Sequence, residues 1–323
     1  MNRKRFRPSF SRVLSWILGI VLVGIIGPYA WVRITAADRA ISLSLHASPQ
    51  DQVPARDHPL RIATLNIAHG RGARLGSSNW TDENSPQRRE RLTQIGQLLA
   101  RHNLDIVILN EVDFDSIWSH HVDQAETIAQ AGGFQHIARQ SNFDVYSVMA
   151  SLRFGNAVLS KFRVIRAEHR PLPPFSWIEN VLAGNHDSLL VEYEVSKSQR
   201  LGVWAVHLEV RDEETRRRAV KTILADYPPP ALPTVLLGDL NSTMSSESSS
   251  TNLSAVDLLI VSDRFNTYPA ASSTEFFTFP SQEPGRTLDW IFIPKSLRFV
   301  GGEVMKNNLT DHFGVVAEIA FPK

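Results

Sequence analysis

The chain has 323 residues, of which 43% are hydrophobic, and this length and apolar content exclude a disordered protein while allowing one large domain or two ordinary ones. It contains no cysteine, which excludes disulfides, thiolate metal sites and cysteine nucleophiles. The net charge is +1, but residues 1–33 hold six basic residues and no acidic one, so the remainder carries −5 (+1 less 6). That mildly acidic body weakens the case for tight, sequence-independent binding of nucleic acid.

The N-terminal segment has the pattern of a membrane anchor. A basic stretch, residues 1–12, precedes the uncharged residues 13–32, which as a helix would span about 30 Å, the thickness of a hydrocarbon core. A cleaved signal peptide is the alternative, but its apolar region would be shorter. We predict a single-pass protein with a transmembrane helix over 13–32, its N-terminus cytoplasmic and the rest periplasmic or extracellular. A linker over 33–58 and a folded domain over 59–323 follow.

Strand patterns recur through the predicted domain, with helical patterns between some of them. Amphipathic stretches over residues 86–102 and 212–225 predict helices. Mixed alternating and continuous apolar strands with few intervening helices indicate sheets that pack together and are covered by helices. The predicted strands cover residues 61–66, 104–110, 155–160, 188–195, 201–208, 234–239, 288–293 and 314–319.

Polar residues stand at the ends of six predicted strands. In LLGDLNSTM, Asp239 and Asn241 lie two residues apart, so in an extended strand both point to the same face. Turn formation is the alternative for this pair, because Gly, Asp, Asn and Ser also close strands through bonds to their own backbone. Convergence of the six ends at one edge of a sandwich would form an active site. The other residues of this kind are Asn66, Asn110, Glu111, Asp113, His207, Asp289, Asp311 and His312.

The motifs TLN, NEVD, GNAVLS, VHLE, GDLNS, LDWIFIP and LTDH, in this order, resemble the endonuclease/exonuclease/phosphatase superfamily, with its deoxyribonuclease-like, apurinic endonuclease-like and sphingomyelinase-like branches. The resemblance covers residues 59–323. It implies that this region is a catalytic domain with an α/β fold, a four-layer α/β/β/α sandwich of two packed mixed sheets, here preceded by one transmembrane helix.

The same resemblance implies a divalent-metal-dependent phosphoester hydrolase that acts as a phosphodiesterase, and the N-terminal segment predicts that it is membrane-anchored. Lipid headgroups, small phosphodiesters and nucleic acid are the expected substrate classes, so a nuclease acting on DNA or RNA is one alternative. A non-catalytic, membrane-anchored binding protein on the same scaffold is the other. Loss of the site residues would signal that alternative, and none is lost. The membrane is an expected partner through the N-terminal helix, and no protein partner is predicted.

The resemblance implies a metal site and a water-activating pair. Glu111 is expected to bind Mg²⁺, or Mn²⁺ as the alternative ion, with Asn66 and Asp311 beside it. Asp239 is expected to orient or deprotonate the attacking water, and Asn241 to hold that water or a phosphate oxygen.

It also implies phosphate-binding residues. His312, oriented by Asp289, and His207 are expected to contact the phosphate. Asn156 stands where the deoxyribonuclease branch has a glutamate, and it is expected to bind phosphate or to orient His207. Arg286 is a substrate-binding candidate, with a plain surface arginine as the alternative.

Two further pairs of residues have two readings each. Asn110 and Asp113 either support the metal ligands or cap a loop. His69 and Arg71, just beyond the Asn66 strand, either reach the substrate or belong to a glycine-rich turn.

Overall fold

The computed structural model describes residues 10–35, 40–44, 58–76, 78–80, 83–146, 151–177, 184, 186–245 and 253–322. The chain divides into two compact units, Met1–Ala37 and Asp38–Lys323. Helix α1 (Phe10–Thr35) belongs to the first unit. Within the described ranges, no helix is both long and apolar enough to cross a membrane. The transmembrane helix predicted over 13–32 is therefore not supported by the structure, and residues 1–9 of the basic N-terminus lie outside the described part.

The second unit contains two β-sheets and, within the described residues, four α-helices and three short 3-10 helices. The strands are β1 (Ala40–Ser44), β2 (Leu60–Asn66), β3 (Ile106–Asp113), β4 (His136–Tyr146), β5 (Ser151–Ser160), β6 (Val164–Arg170), β7 (Ser188–Ser196), β8 (Gln199–His207), β9 (Thr234–Asp239), β10 (Phe265–Tyr268), β11 (Asp289–Pro294), β12 (Arg298–Met305) and β13 (Gly314–Ala320). The four α-helices are α2 (Ser85–Arg101), α3 (Gln124–Gly132), α4 (Glu213–Ala225) and α5 (Ala255–Val261).

Each sheet is mixed and has one parallel pair near its middle. The first sheet has the order β1-β4-β5-β3-β2-β13-β12, and the second has the order β10-β11-β9-β8-β7-β6. Strands β2 and β3 are parallel, as are β8 and β9, whereas the other neighbours are antiparallel. The carboxyl ends of each parallel pair therefore meet at one edge of their sheet.

Three hydrophobic clusters show how the layers pack. One fills the space between the sheets and includes Ile62 and Ile108 from the first sheet and Val203 and Leu237 from the second. Another joins α2 and α3 to the outer face of the first sheet, and the third joins α4 and α5 to the outer face of the second. The order helices, sheet, sheet, helices is the four-layer α/β/β/α sandwich that was predicted.

Helix α2 illustrates how local sequence sets an element. The Asn84 side chain accepts a hydrogen bond from the Gln87 N–H, and the Gln87 side chain accepts one from the Asn84 N–H, which together form a capping box. The apolar stripe predicted for this helix is buried against the first sheet. Its members are Leu92, Ile95, Leu98 and Leu99.

Strand β1 lies inside the segment predicted as a linker. Its residues pair with β4 in an antiparallel register that runs from Ala40 opposite Gln140 to Ser44 opposite His136. The predicted domain start at residue 59 is therefore too late, because backbone hydrogen bonds to β4 incorporate residues 40–44 into the first sheet. Residues 36–39 and 45–57 of the predicted linker lie outside the described part.

Gly238 allows β8 and β9 to approach each other just before the site. It has a φ of +148° and stands opposite Val206. A Cβ atom at this position would lie 1.8 Å from the Val206 carbonyl oxygen, so only glycine fits without moving the strands. The glycine therefore fixes the position of Asp239, the next residue.

Candidate active site

Strand register brings the predicted polar residues to one edge of the sandwich. Asn66 stands opposite Asn110 at the carboxyl ends of β2 and β3. His207 stands opposite Asp239 at the carboxyl ends of β8 and β9. Asp289, at the amino end of antiparallel β11, also faces Asp239. The amino end of β13 reaches the same edge because this strand runs antiparallel to β2.

The side chain of Asn110 forms hydrogen bonds that connect the two sheets beneath the site. Its Nδ2 atom donates to Asn156 Oδ1 (2.8 Å) and to the Val206 carbonyl oxygen (3.0 Å). Its Oδ1 atom accepts from the Asp239 N–H (3.0 Å). Of its two predicted readings, the structure therefore favours a supporting role: Asn110 holds β3 against β8 and β9.

Asn156 belongs to this framework and not to the open site. It is fully buried, and its Nδ2 atom donates to Gln140 Oε1 (2.8 Å) and the Asp187 carbonyl oxygen (3.2 Å). Its Oδ1 atom is occupied by Asn110. The expectation that Asn156 binds phosphate or orients His207 is therefore not supported, because both ends of its amide are used inside the sandwich.

Asp239 is a buried carboxylate held by two donors. Its Oδ2 atom accepts from Asn66 Nδ2 (3.1 Å), and its Oδ1 atom accepts from the Asn241 N–H (2.8 Å). The Nε2 atoms of His207 and His312 lie 3.8 and 3.7 Å from Oδ2. The carboxylate is thus fixed in orientation between two imidazole rings.

Asn241 reaches its position by a turn and not by strand alternation. Strand β9 ends at Asp239, and Asn241 has a φ of +50°, in the left-handed region that asparagine tolerates. Its Nδ2 atom donates to the Leu208 carbonyl oxygen (3.0 Å). The prediction that strand alternation aligns Asn241 with Asp239 is therefore wrong. The backbone N–H of Asn241 nevertheless orients Asp239.

His312 and Asp289 form the predicted dyad. The Nδ1 atom of His312 lies 2.9 Å from Asp289 Oδ2, and both side chains are buried. Burial alone would lower the pKa of His312, but the Asp289 and Asp239 carboxylates outweigh it and raise this pKa to about 10. The side chain is therefore an imidazolium with Nδ1–H donated to Asp289.

Glu111 sits on a bulge in β3. The register with β5 shifts between Leu109 and Val112, and Glu111 has a φ of +54°, so the side chain leaves the regular pleat. Its Oε1 atom accepts from Asn66 Nδ2 (3.0 Å). Burial would raise the pKa of Glu111, but His69, His207, the Asn66 hydrogen bond and Arg71 together lower it to about 2. Glu111 is therefore ionised.

His69 and Arg71 contact Glu111 from the side opposite Asn66. His69 Nε2 lies 3.6 Å and Arg71 Nη2 3.4 Å from Glu111 Oε2. Asp113 Oδ1 lies 2.8 Å from His69 Nδ1 and Asp113 Oδ2 accepts from Trp118 Nε1 (2.9 Å). Burial opposes the charged form of His69, but Asp113 and Glu111 outweigh it and raise its pKa. A second histidine–aspartate pair, His69 and Asp113, thus lies beside the site. The sequence did not predict this pair.

His207 lies between the carboxylates of Glu111 and Asp239, and its contact with phosphate stays a prediction. Its Nε2 atom is 4.0 Å from Glu111 Oε1 and 3.8 Å from Asp239 Oδ2. The ring of His186 packs edge-on against it, with centroids 4.9 Å apart. Sequence reasoning missed His186, because it lies in a loop without a pattern around it.

Arg286 lies at the rim of the site. It is exposed, and its guanidinium stacks over Phe279 at 5.1 Å from the ring centroid. Phe279 in turn packs on the His312 ring, with centroids 4.7 Å apart. The structure thus places Arg286 one aromatic ring away from the dyad, where its role in substrate binding remains a prediction.

Comparison with known proteins identifies the family. The sequence model of the family described as "Endonuclease/Exonuclease/phosphatase family" matches residues 63–312 of this chain. The chain belongs to the endonuclease/exonuclease/phosphatase family. The resemblance predicted from the motifs is thereby confirmed.

Solved structures agree on the fold of this family member. An endonuclease/exonuclease/phosphatase from Beutenbergia cavernae DSM 12333 is 20% identical, with a TM-score of 0.61, over 82% of this chain and 72% of that one. The human Nocturnin catalytic domain with bound sulfate is 17% identical, with a TM-score of 0.57, over 90% and 98%. A mannosyl-6-phosphatase from Bacteroides thetaiotaomicron VPI-5482 is 15% identical, with a TM-score of 0.59, over 81% and 100%. No curated protein sequence matches the chain.

The endonuclease/exonuclease/phosphatase family implies a divalent ion, and two carboxylates here fit one. Glu111 is ionised, and Asp311 Oδ1 is buried without a hydrogen-bond partner among the described residues. Burial and the negative charges of Glu111 and Asp239, opposed by His312 and Arg71, raise the pKa of Asp311 to about 6. A cation would relieve both the repulsion and the unpaired oxygen. Asn66 is arranged as a donor, because its Oδ1 atom accepts from the Ala68 N–H.

Asp239, Asp289 and His312 form a second group of ligand atoms, which all lie within 4.8 Å of one another. The hydrogen bond of 2.9 Å between His312 Nδ1 and Asp289 Oδ2 joins two members of this group, and His312 Nε2 lies 3.7 Å from the third, Asp239.

Proposed function

We propose that this family member is a divalent-metal-dependent phosphoester hydrolase that acts on phosphodiesters. One observation carries the proposal. The buried imidazolium of His312, held by Asp289 at 2.9 Å, lies 3.7 Å from the fixed carboxylate of Asp239. An oriented base beside an oriented donor is what attack of water on a phosphoryl group requires.

Asp239 is proposed to activate the water. Asn66 and the Asn241 N–H fix its two oxygens, and its remaining lone pairs would accept a hydrogen bond from the attacking water. The carboxylate accepts a proton from this water as the oxygen attacks phosphorus.

His312 is proposed to stabilise the negative charge on the phosphoryl oxygens. With Nδ1–H donated to Asp289, its Nε2–H is left for a substrate oxygen. His207 contributes a second imidazole to the same oxygens. A divalent ion held by Glu111 and Asp311 would offset further negative charge there.

Exposed apolar side chains around Arg211 support a lipid phosphodiester over a nucleic acid. Val210 (59% exposed) follows the carboxyl end of β8, and Phe175 (45% exposed) packs under Arg211. Trp177, two residues further, is 74% exposed. Such side chains suit an apolar surface, whereas a polyanionic strand requires a basic groove.

We also propose that residues 13–32 tether the protein to a membrane, with the catalytic domain on the periplasmic or extracellular side. The uncharged stretch of these residues and the basic residues before it support this topology. Fractionation of cells, with protease protection of the N-terminus, tests it. Recovery of the full-length chain without membranes would contradict it.

A hydrolysis panel tests the proposed activity. Full-length protein with Mg²⁺ is given bis-p-nitrophenyl phosphate, sphingomyelin, phosphatidylinositol phosphates, mannose 6-phosphate, plasmid DNA and RNA. Activity is expected to require the metal, to disappear in Asp239→Asn and His312→Gln, and to persist in His102→Gln, which alters a histidine–carboxylate pair outside the site. Binding of Mg²⁺ without hydrolysis of any substrate would favour the non-catalytic binding protein. Preference for DNA or RNA would favour the nuclease.

A further inference from the structure

The turn after β9 orients Asp239 through one backbone N–H. The Asn241 N–H donates to Asp239 Oδ1 (2.8 Å), and Asn241 has a φ of +50°. This left-handed conformation is sparsely populated outside glycine and persists where the surrounding structure determines it. The φ angle links the direction of the Asn241 N–H to the direction in which the chain continues. The hydrogen bond to Asp239 therefore depends on where the next residue, Ser242, is held.

Two side chains from different elements hold Ser242, which is buried. Its hydroxyl donates to Glu213 Oε1 (2.8 Å), and its carbonyl oxygen accepts from Trp290 Nε1 (3.0 Å). Trp290 is fully buried and directly follows Asp289 on β11. Ser242 is therefore fixed both to α4, which begins at Glu213, and to the strand that carries Asp289.

The carboxylate of Glu213 is itself fixed in orientation. Its Oε2 atom accepts from Arg216 Nε (2.7 Å) and lies 2.6 Å from Arg216 Nη2. Its Oε1 atom also accepts from the Ala255 N–H (2.6 Å), at the start of α5. Hydrogen bonds to an ionised acceptor are stronger than those between neutral groups. Glu213 therefore offers the Ser242 hydroxyl a strong acceptor at a defined point.

We infer that Ser242 and Glu213 are positioning residues, whose hydrogen bond keeps the Asn241 N–H on Asp239 and so keeps this carboxylate aligned for the attacking water. The inference rests on the proposed function, in which Asp239 activates the water. A misplacement of about 1 Å can lower a rate by about 10²-fold. Loss of the hydrogen bond between Ser242 and Glu213 is therefore expected to lower kcat and to leave KM nearly unchanged.

Hydrogen exchange at the Asn241 amide tests the positioning without any substrate. Full-length wild-type, Ser242→Ala and Glu213→Gln proteins are transferred to D₂O, and exchange at single residues is followed by mass spectrometry with fragmentation. Exchange at Asn241 is expected to be about tenfold faster in both variants, whereas the amide of Leu237 in β9 keeps its wild-type rate. Ser196→Ala is the matched control, because it removes a buried hydroxyl that bonds to Gln199 between β7 and β8.

Kinetics with bis-p-nitrophenyl phosphate tests whether the positioning matters to the reaction. Ser242→Ala and Glu213→Gln are each expected to lower kcat about tenfold, with KM within about twofold of wild type. In Asp239→Asn protein, the same substitutions are expected to lower the residual kcat less than about twofold, because effects that pass through one residue are not additive. Ser196→Ala should keep the wild-type kcat and KM.

Two results would overturn the inference. One is exchange at Asn241 that is no faster than in Ser196→Ala, or that is faster only together with exchange at Leu237, which indicates a general loss of stability. The other is an unchanged kcat, or a tenfold loss that persists in Asp239→Asn protein. If Ser242→Ala does not fold, Glu213→Gln decides by the same measurements. The proposed function fails separately, if wild-type protein hydrolyses no ester although exchange at Asn241 changes as expected.

Discussion

At Asp239, two donors and two imidazole rings surround one carboxylate. Asn66 and Asn241 fix its oxygens, and His207 and His312 stand within 3.8 Å. A carboxylate held this way loses little freedom when it accepts a proton in the transition state. A substitution that keeps the size of the Asp239 side chain but removes its charge therefore measures the contribution of the charge alone.

The substitution Asp239→Asn is expected to lower kcat by about 10²- to 10⁴-fold, the usual contribution of a general base. The amide keeps the size of the side chain but cannot accept the proton. Steady-state kinetics with bis-p-nitrophenyl phosphate measures the loss, and near-ultraviolet circular dichroism checks the fold. Activity within tenfold of wild type would show that another group activates the water.

Asp289→Asn is expected to lower kcat by about 10²-fold or more, because the dyad loses the carboxylate that holds His312 as an oriented imidazolium. Asp115→Asn provides the matched control, since it changes the carboxylate beside the exposed His121. The same kinetic assay applies to both variants. Similar losses in the two would mean that the dyad has no special role.

Residues at strand ends were predictable, and residues placed by turns or loops were not. Glu111, Asp239 and His312 follow or precede apolar strands, so the topology of the sheets brings them together. Asn241 lies one turn past its strand, where alternation no longer determines direction. His186 lies in a loop, and only the tertiary fold places it beside His207.

Among the elements, the pair β8–β9 depends on the close contact at Gly238. Gly238→Ala is expected to cost about 2 kcal/mol or more in the free energy of unfolding, because a Cβ would lie 1.8 Å from the Val206 carbonyl oxygen at a φ of +148°. It should also lower kcat by moving Asp239. Urea denaturation measures the first effect. Gly285→Ala is the control, since the nearest atom to its Cβ would be 4.0 Å away. An equal loss of unfolding free energy in both variants would show that the close contact at Gly238 is not the cause.

Position in the sheet explains most of the elements that the sequence revealed. The strands β2, β3, β8, β9, β11 and β13 lie inside their sheets and read as apolar runs. Five strands were missed: the four that end the two sheets, β1, β12, β10 and β6, and β4, which lies inside the first sheet. Strand β6, for example, has no fully buried residue, so its charged side chains obscure the alternation that identifies a strand.

For the molecule as a whole, binding of a divalent ion at the site is expected to increase the free energy of unfolding. A ligand that binds only the folded state at about 100 times its Kd adds about 2.7 kcal/mol to the free energy of unfolding. Mg²⁺ is expected to raise the unfolding temperature of wild-type protein, and EDTA to reverse the rise and abolish hydrolysis. Thermal unfolding of Glu111→Gln should respond little to Mg²⁺, whereas Glu303→Gln, outside the site, should respond as wild type does. Equal responses would place the ion elsewhere.

The layered architecture was predictable as a whole because it follows from few features. Apolar inner strands, amphipathic helices and the order of the motifs together determine two sheets covered by helices. Where the domain begins was not predictable, because residues 40–44 have no distinctive pattern and are held by pairing with a strand almost a hundred residues away.

The pairing of β1 with β4 determines which truncated fragments of the protein should stay free of aggregation. Strand β1 covers backbone groups of β4 at one end of the first sheet. A fragment that starts at residue 59 would leave these N–H and C=O groups open to strands of other molecules, which is a common route to aggregation. Such a fragment is expected to show concentration-dependent light scattering, and one that starts at residue 38 is not. Truncation for expression should therefore spare strand β1, the first strand of the domain.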